Sequence, residues 1–237
     1  ENIEADFHNL IQFFKDIKIR DNQHNLRLFF HLLLRISNDH YRCPNFFGKI
    51  EQILQFFKDD IKKYYSNSEI FDIFQSSKRI LLFLIEEKIL RVDEYFYNQI
   101  TKDNYLQAKY PQYFAPEIKP FTIAKFNPNN SFYLSRFLNR WDEEVKKGLP
   151  ENFYELRKIG ENESEICKLI REDSVKEFIA YMNKNSISCN NEIELSIYET
   201  NSYFFDLKTD GMMILSLIPR ITLIEYAAFF GSIQIFN

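Results

Sequence analysis

Glycine is scarce in this chain: five among 237 residues, at Gly48, Gly148, Gly160, Gly211 and Gly231. A phosphate-cradling loop needs several glycines within a few residues so that backbone N–H groups can approach the ligand. None of these five lies near another, so nucleotide-binding loops are excluded. Cysteine is limited to Cys43, Cys167 and Cys189, an odd and widely spaced set. It offers no Cys-x-x-Cys pair for zinc and no disulfide framework, and it predicts reduced thiols in a cytoplasmic setting. The four histidines, His8, His24, His31 and His40, fall in the first 40 residues without a His-Glu-x-x-His arrangement. His31 sits in an apolar stretch and reads as a hydrogen-bonded core imidazole. A long hydrophobic run is also missing. Ile80 to Ile85 is the strongest, and Glu86, Glu87 and Lys88 follow at once, which predicts a buried helix and no membrane insertion.

Charge of one sign is lacking as well. The formal net charge is -4, and the basic pairs Lys62–Lys63 and Lys146–Lys147 sit beside Asp59, Asp60, Glu143 and Glu144. Nucleic-acid binding requires a basic stripe that displaces phosphate counterions, and none is present. The adjacent acids Asp59–Asp60, Glu86–Glu87 and Glu143–Glu144 point about 100° apart on a helix and read as solvated faces rather than acid–base pairs. The segment Asp206 to Gly211 has the front of a calcium loop but puts Leu217 where the closing glutamate belongs. The expectation is therefore a non-enzyme with no catalytic residues, no cofactor-binding residues and no metal ligands, hence no cofactor.

What the chain has in quantity is aromatic bulk, 25 Phe and 14 Tyr. Large planar side chains and few glycines suit long helices with polar connections, and the expected fold class is all-α. Helical spacing is legible over 3–19 (Leu10, Phe13, Phe14, Ile17) and over 46–64 (Phe46, Ile50, Ile53, Leu54, Phe57, Ile61, Tyr64). Residues 26–36 are apolar enough to predict a helix buried on most sides. Ser66 to Glu69 has the form of a capping box opening a short helix. Residues 77–90 read as the central helix of an irregular helical N-terminal domain spanning 1–110, with further helices over 92–100 and 103–110. Residues 111–130, with Pro111, Pro116, Pro120 and Pro128, read as an extended proline-containing connector, because each proline restrains its predecessor away from helix. A helix is predicted over 131–147, closed by Gly148 and Pro150.

The region 131–237 carries one internal echo. Residues 169–178 (LIREDSVKEF) align without gaps to 227–236 (AAFFGSIQIF), so that Asp173 answers Gly231, Ser174 answers Ser232, Val175 answers Ile233 and Phe178 answers Phe236. Each copy reads as a helical hairpin, the units being 163–183 and 222–237. Thr222 with Glu225 supplies a cap and Gly231 a tight turn. Val175, Phe178 and Ile179 are expected to face neighbouring helices, with Lys176 and Glu177 outward. The insertion between the units, within 183–221, is compatible with a short hairpin or an ordered loop.

The wording of ICKLIREDSVKEFIAYMN (166–183), SIYETNSYFF (196–205) and LIEYAAFFGSIQIF (223–236), together with residues 46–89, resembles the ankyrin-repeat proteins of trichomonad protists, whose N-terminal helical region is a domain of unknown function. Against the general pattern of Thr-Pro-Leu-His, an Ala pair and a glycine, the chain keeps Thr222, Ala227, Ala228 and Gly231. It has Leu223, Ile224 and Glu225 at the other three positions, which marks a divergent unit. The resemblance implies ankyrin-like hairpins in a stack truncated at the C-terminus, with that end covered by further repeats or by a partner protein. It implies a non-catalytic, cytoplasmic protein–protein interaction or scaffolding module. The alternative is a structural component of a cytoskeletal or other large assembly.

Overall fold

The computed structural model describes residues 3–39, 46–101, 110–125, 149–193, 196–200 and 221–236. They are mostly helical, as the aromatic-rich, glycine-poor composition requires, and the only strands among them are two short ones. The described residues divide into two compact units, one up to Arg91 and one from Val92 onward.

The first unit runs α1 (Ile3–Asp16), a 3-10 turn (Ile19–Asp21), α2 (Gln23–Asp39), α3 (Phe46–Phe56), α4 (Lys58–Tyr64), α5 (Asn67–Phe74) and α6 (Lys78–Glu86). Its centre is aromatic. Phe57, fully buried at the junction of α3 and α4, has the rings of Phe14 at 5.7 Å and Phe30 at 5.9 Å, and Phe30 in turn meets Phe74 at 5.4 Å. These tilted and edge-on contacts are the favoured geometries for rings packed without a stack. The helix expected over 46–64 is thus two, broken at Phe57, although Ile50, Ile53, Leu54 and Ile61 keep their inward stripe. Arg20 in the 3-10 turn ties the first hairpin to that junction. Its guanidinium lies 4.0 Å from the Phe56 ring centroid, donates to the Phe56 carbonyl and pairs with Asp60 at 3.1 Å. The helix expected over 77–90 ends at Glu86, and Ile80, Leu81, Leu82 and Leu84 on it are buried.

Two expectations for α2 fail. Leu28 and Leu32 are 55% and 54% exposed and His31 is exposed, so α2 is buried along one side only and His31 is not a core imidazole. Arg27, His31 and Arg35 interrupt the apolar run on one side of the helix, and the neighbours reach the opposite side, where Leu26, Phe30, Leu33 and Leu34 are buried and Phe29 is half-buried against Phe14.

The capping box at the start of α5 forms as read: the Ser66 hydroxyl accepts from the Glu69 N–H, and the Ser66 N–H donates to the Glu69 carboxylate at 2.8 Å. The Ser66 hydroxyl first, then its backbone N–H, holds the Glu69 carboxyl below the usual carboxylate range. A depressed folded-state pKa gives stabilisation that is complete above the unfolded pKa and is lost as pH falls through the folded one. We predict that the stability difference between the parent and Glu69→Ala, measured by urea unfolding at a series of pH values, shrinks toward zero on acidification. A difference constant from neutral to acid pH would refute the charge-dependent cap.

The second unit contains α7 (Glu94–Ile100), α8 (Tyr110–Tyr113), α9 (Ala115–Lys125), α10 (Phe153–Ile159), α11 (Glu165–Arg171), α12 (Val175–Asn185), α13 (Leu223–Phe230) and α14 (Ile233–Phe236). Strands β1 (Glu192–Ile193) and β2 (Ile221–Thr222) pair antiparallel. The expected extended connector over 111–130 is instead helical through Lys125, and Tyr113, Phe114, Ala115 and Ile118 in it are buried. Pro111 and Pro116 each occupy the second residue of their helix, where a missing N–H costs nothing because no intrahelical acceptor exists there. The division between units accordingly falls before this segment rather than inside it. Arg157 on α10 fastens it: the guanidinium makes a two-pronged pair with Glu117 at 2.8 Å, donates to the Tyr113 carbonyl and is almost wholly buried, while the Tyr113 hydroxyl donates to the Arg157 carbonyl. The helices expected over 103–110 and 131–147 fall, apart from Tyr110, outside the described residues. So do Asp206 to Gly211, Leu217, Glu143, Glu144 and Cys43.

Candidate functional site

The two echoing segments are two helix–turn–helix units with the same turn. In the first, Asp173 has a φ of 52°, its N–H donates to the Ile170 carbonyl at 3.0 Å, and the Ser174 N–H donates to Leu169 at 3.0 Å. In the second, Gly231 has a φ of 54°, its N–H donates to Ala228 at 3.0 Å, and the Ser232 N–H donates to Ala227 at 2.9 Å. The alignment of 169–178 with 227–236 is therefore reproduced bond for bond, α11–α12 answering α13–α14. The N-caps differ. Thr222 and Glu225 make the complete capping box that the sequence predicts. Ser164 gives no side-chain cap, and its N–H donates to the Asn162 side chain at 3.0 Å. Asn162, in a glycosylation-type sequon, is buried at 2% exposure and held by that contact, so it is not a surface acceptor.

Two side chains lock one turn onto the other. The buried Ser232 hydroxyl donates to the Ile170 carbonyl, using an acceptor at the end of α11. The Asp173 carboxylate accepts from the N–H groups of Gln234 (3.2 Å) and Ile235 (3.1 Å), thereby capping α14 from the preceding hairpin. Further back, Arg171 on α11 donates to the Tyr226 hydroxyl at 2.9 Å and pairs with Glu161 at 3.0 Å, and the Tyr226 hydroxyl donates to Glu199 at 3.4 Å. Tyr226 and Glu199 are fully buried. Burial first, and the Glu199 charge second, push the Tyr226 phenol far above its ordinary range, so it stays a protonated hydrogen-bonding group. Burial likewise pushes the Cys167 thiol up to about 11, which leaves it an unreactive core side chain at neutral pH. Tyr226 and Glu199 are shut off from solvent while the Arg171–Glu161 pair is part-exposed, and the Tyr226–Glu199 bond holds the 196–200 segment against α13. There the Thr200 N–H and hydroxyl both donate to the Gly160 carbonyl. The insertion between the hairpins is closed at its base by the β1–β2 ladder and by the Leu223 and Ile224 N–H groups donating to Asn191 and Cys189.

At the equivalent positions of the two hairpins the burial is opposite. Phe178 is 4% exposed and Val175 half-buried, whereas Phe236 is 55% and Ile233 67% exposed. The first hairpin has the second packed beside it, and the second presents its matching surface to solvent. Phe230 is buried, while Phe229 and Ile235 are half-buried. One expectation is corrected: Ile179 is 51% exposed, because the inward stripe of α12 runs through Val175, Phe178, Tyr181 and Met182 and leaves the next residue outside. Lys176 and Glu177 point outward as expected.

Among the described residues no group of three or more His, Cys, Asp or Glu side chains is placed to hold a metal ion, and no helix is long and apolar enough to cross a membrane. What the described residues define is a class: a mostly helical protein in which two helical hairpins share one turn geometry. Comparison with family models, with curated proteins and with solved structures finds no match.

Proposed function

We propose that the chain is a non-catalytic protein-binding or scaffolding module whose α11–α12 and α13–α14 hairpins are stacked, ankyrin-like units. The observation that carries this reading is the reversal of burial between Val175/Phe178 and Ile233/Phe236 across hairpins with identical turns. A repeat buries its apolar side against the next repeat, so the same side chains turned outward in the last unit mark the face that a further hairpin or a partner protein covers. Ala227 on α13, fully buried, favours close approach of a neighbouring helix, and the network of Arg171, Tyr226 and Glu199 keeps the pair rigid enough to act as a platform. The cytoplasmic location expected from the thiols belongs to the same reading. Replacement of Ile233 and Phe236 by glutamate tests it: the parent chain should associate at high concentration through this end, and the double variant should lose that component in light scattering. A parent with no such component, in which hydrogen exchange shows α14 ordered and solvent-exposed, would remove the basis for the proposal.

A further inference from the structure

A second uncovered apolar surface lies at the other end of the sequence, on α1 and α2. Leu10, Phe13 and Ile17 on α1 are 38%, 53% and 46% exposed, and Leu28 and Leu32 on α2 are 55% and 54% exposed. The two helices touch through Phe14 and Phe29, whose rings are 4.8 Å apart. Leu10 and Ile17 stand one turn either side of Phe14, and Leu32 stands one turn beyond Phe29. At about 100° per residue, the exposed apolar side chains therefore flank the seam between the helices. In two right-handed helices joined as an antiparallel pair by the short turn at 17–22, both stripes fall on the same outer surface.

The borders of that surface carry opposite charge. On α2, further round from the seam, stand Arg27, Arg35 and the exposed imidazoles His24 and His31, and no acid occurs between Asp21 and Asp39. Arg27 also acts on Tyr65 and Glu69 at the start of α5. On α1 the exposed acids are Asp6, within the apolar stripe, and Asp16 beyond it. A face with an apolar centre, a basic border on one side and an acidic border on the other is complementary to itself under a two-fold rotation whose axis runs along the helices. That rotation lays α1 of one copy over α2 of the other and brings each acidic border onto a basic one. A two-fold axis across the helices would instead set like charges together.

We propose that this face is the interface of a symmetric homodimer, in which α1 and α2 of two copies form a four-helix layer with Leu28 and Leu32 of each against Leu10, Phe13 and Ile17 of the other. The test is sedimentation equilibrium of the 237-residue chain in the Ile233→Glu/Phe236→Glu background, which removes association through the C-terminal hairpin. The expected species is twice the 28.7 kDa chain mass. Leu28→Glu/Leu32→Glu changes only exposed positions and should raise the dimer dissociation constant about 100-fold, as loss of central apolar anchors does. Asp6→Arg and Arg35→Asp should each weaken the dimer several-fold, and the two together should restore it to within about 3-fold of the parent, because the two exchanged charges are again of opposite sign across the interface. A monomer at every concentration overturns the proposal. So does a dimer indifferent to the leucine changes, or charge reversals whose effects simply add. Circular dichroism of each variant confirms that the helices are retained.

Discussion

Phe178→Ala should lower the free energy of unfolding by about 3–5 kcal/mol, while Lys176→Ala, two residues away on the same helix, should change it by less than about 0.5 kcal/mol. Phe178 is the one fully buried side chain of α12, and its removal leaves a ring-sized void between that helix and its neighbours. Lys176 is exposed, so its truncation removes little buried surface. The contrast reports on more than one side chain. Phe236, the matching residue of the second hairpin, is 55% exposed, so Phe236→Ala should cost far less than Phe178→Ala in the isolated chain, although the two residues occupy the same place in the repeat. Urea unfolding of the three variants measures this directly. Equal losses at Phe178 and Phe236 would mean that the second hairpin is covered after all, and equal small losses at Phe178 and Lys176 would mean that α12 does not pack as described.

Arg157→Leu is the second large effect, at about 3 kcal/mol or more. The guanidinium is 4% exposed and supplies both bonds to the Glu117 carboxylate, itself only 16% exposed, and another to the Tyr113 carbonyl. Leucine leaves a carboxylate and a carbonyl in a poorly hydrated place without their donors. Replacing Glu117 by leucine as well should recover much of the loss, because the destabilisation comes from the stranded charge more than from the missing pair. The readout is thermal or urea unfolding of the parent, the single variant and the double variant. A single variant within about 0.5 kcal/mol of the parent would show that α9 is not held by this pair.

Local devices were legible in the sequence because their parts are three or four residues apart. Ser66 with Glu69 and Thr222 with Glu225 are both complete capping boxes, and the turn at Gly231 and its echo at Asp173 follow from a gapless alignment. Proline misled at 110–125: the rule that it excludes helix from the residue before it fails for Pro111 and Pro116, which lie in first turns, and Pro120 stands inside α9 with Lys119 before it also helical. Apolar density misled on α2, because composition gives the hydrophobicity of a helix but not how many sides its neighbours reach. The contacts that fasten the second unit had no sequence signal at all. Arg157 and Glu117 are 40 residues apart and Arg171 and Tyr226 are 55 apart, and nothing local in the sequence distinguishes these arginines from the solvated ones. The exposed Ile233 and Phe236 were readable as apolar, but their exposure became meaningful only beside the burial of Val175 and Phe178.

The carboxylate of Asp173 has a consequence for α14. A four-residue helix such as α14 cannot persist by itself, since one turn does not offset the loss of backbone freedom. Two of its N–H groups are satisfied by a side chain made 61 and 62 residues earlier in synthesis. The turn of α14 therefore depends on the bend of the first hairpin. Opening of the bend at Asp173 should therefore release α14 as well. Gly231, at the corresponding bend of the second hairpin, has no carboxylate to extend to whatever packs beyond it. Any helix arriving there must bring its own N-terminal cap.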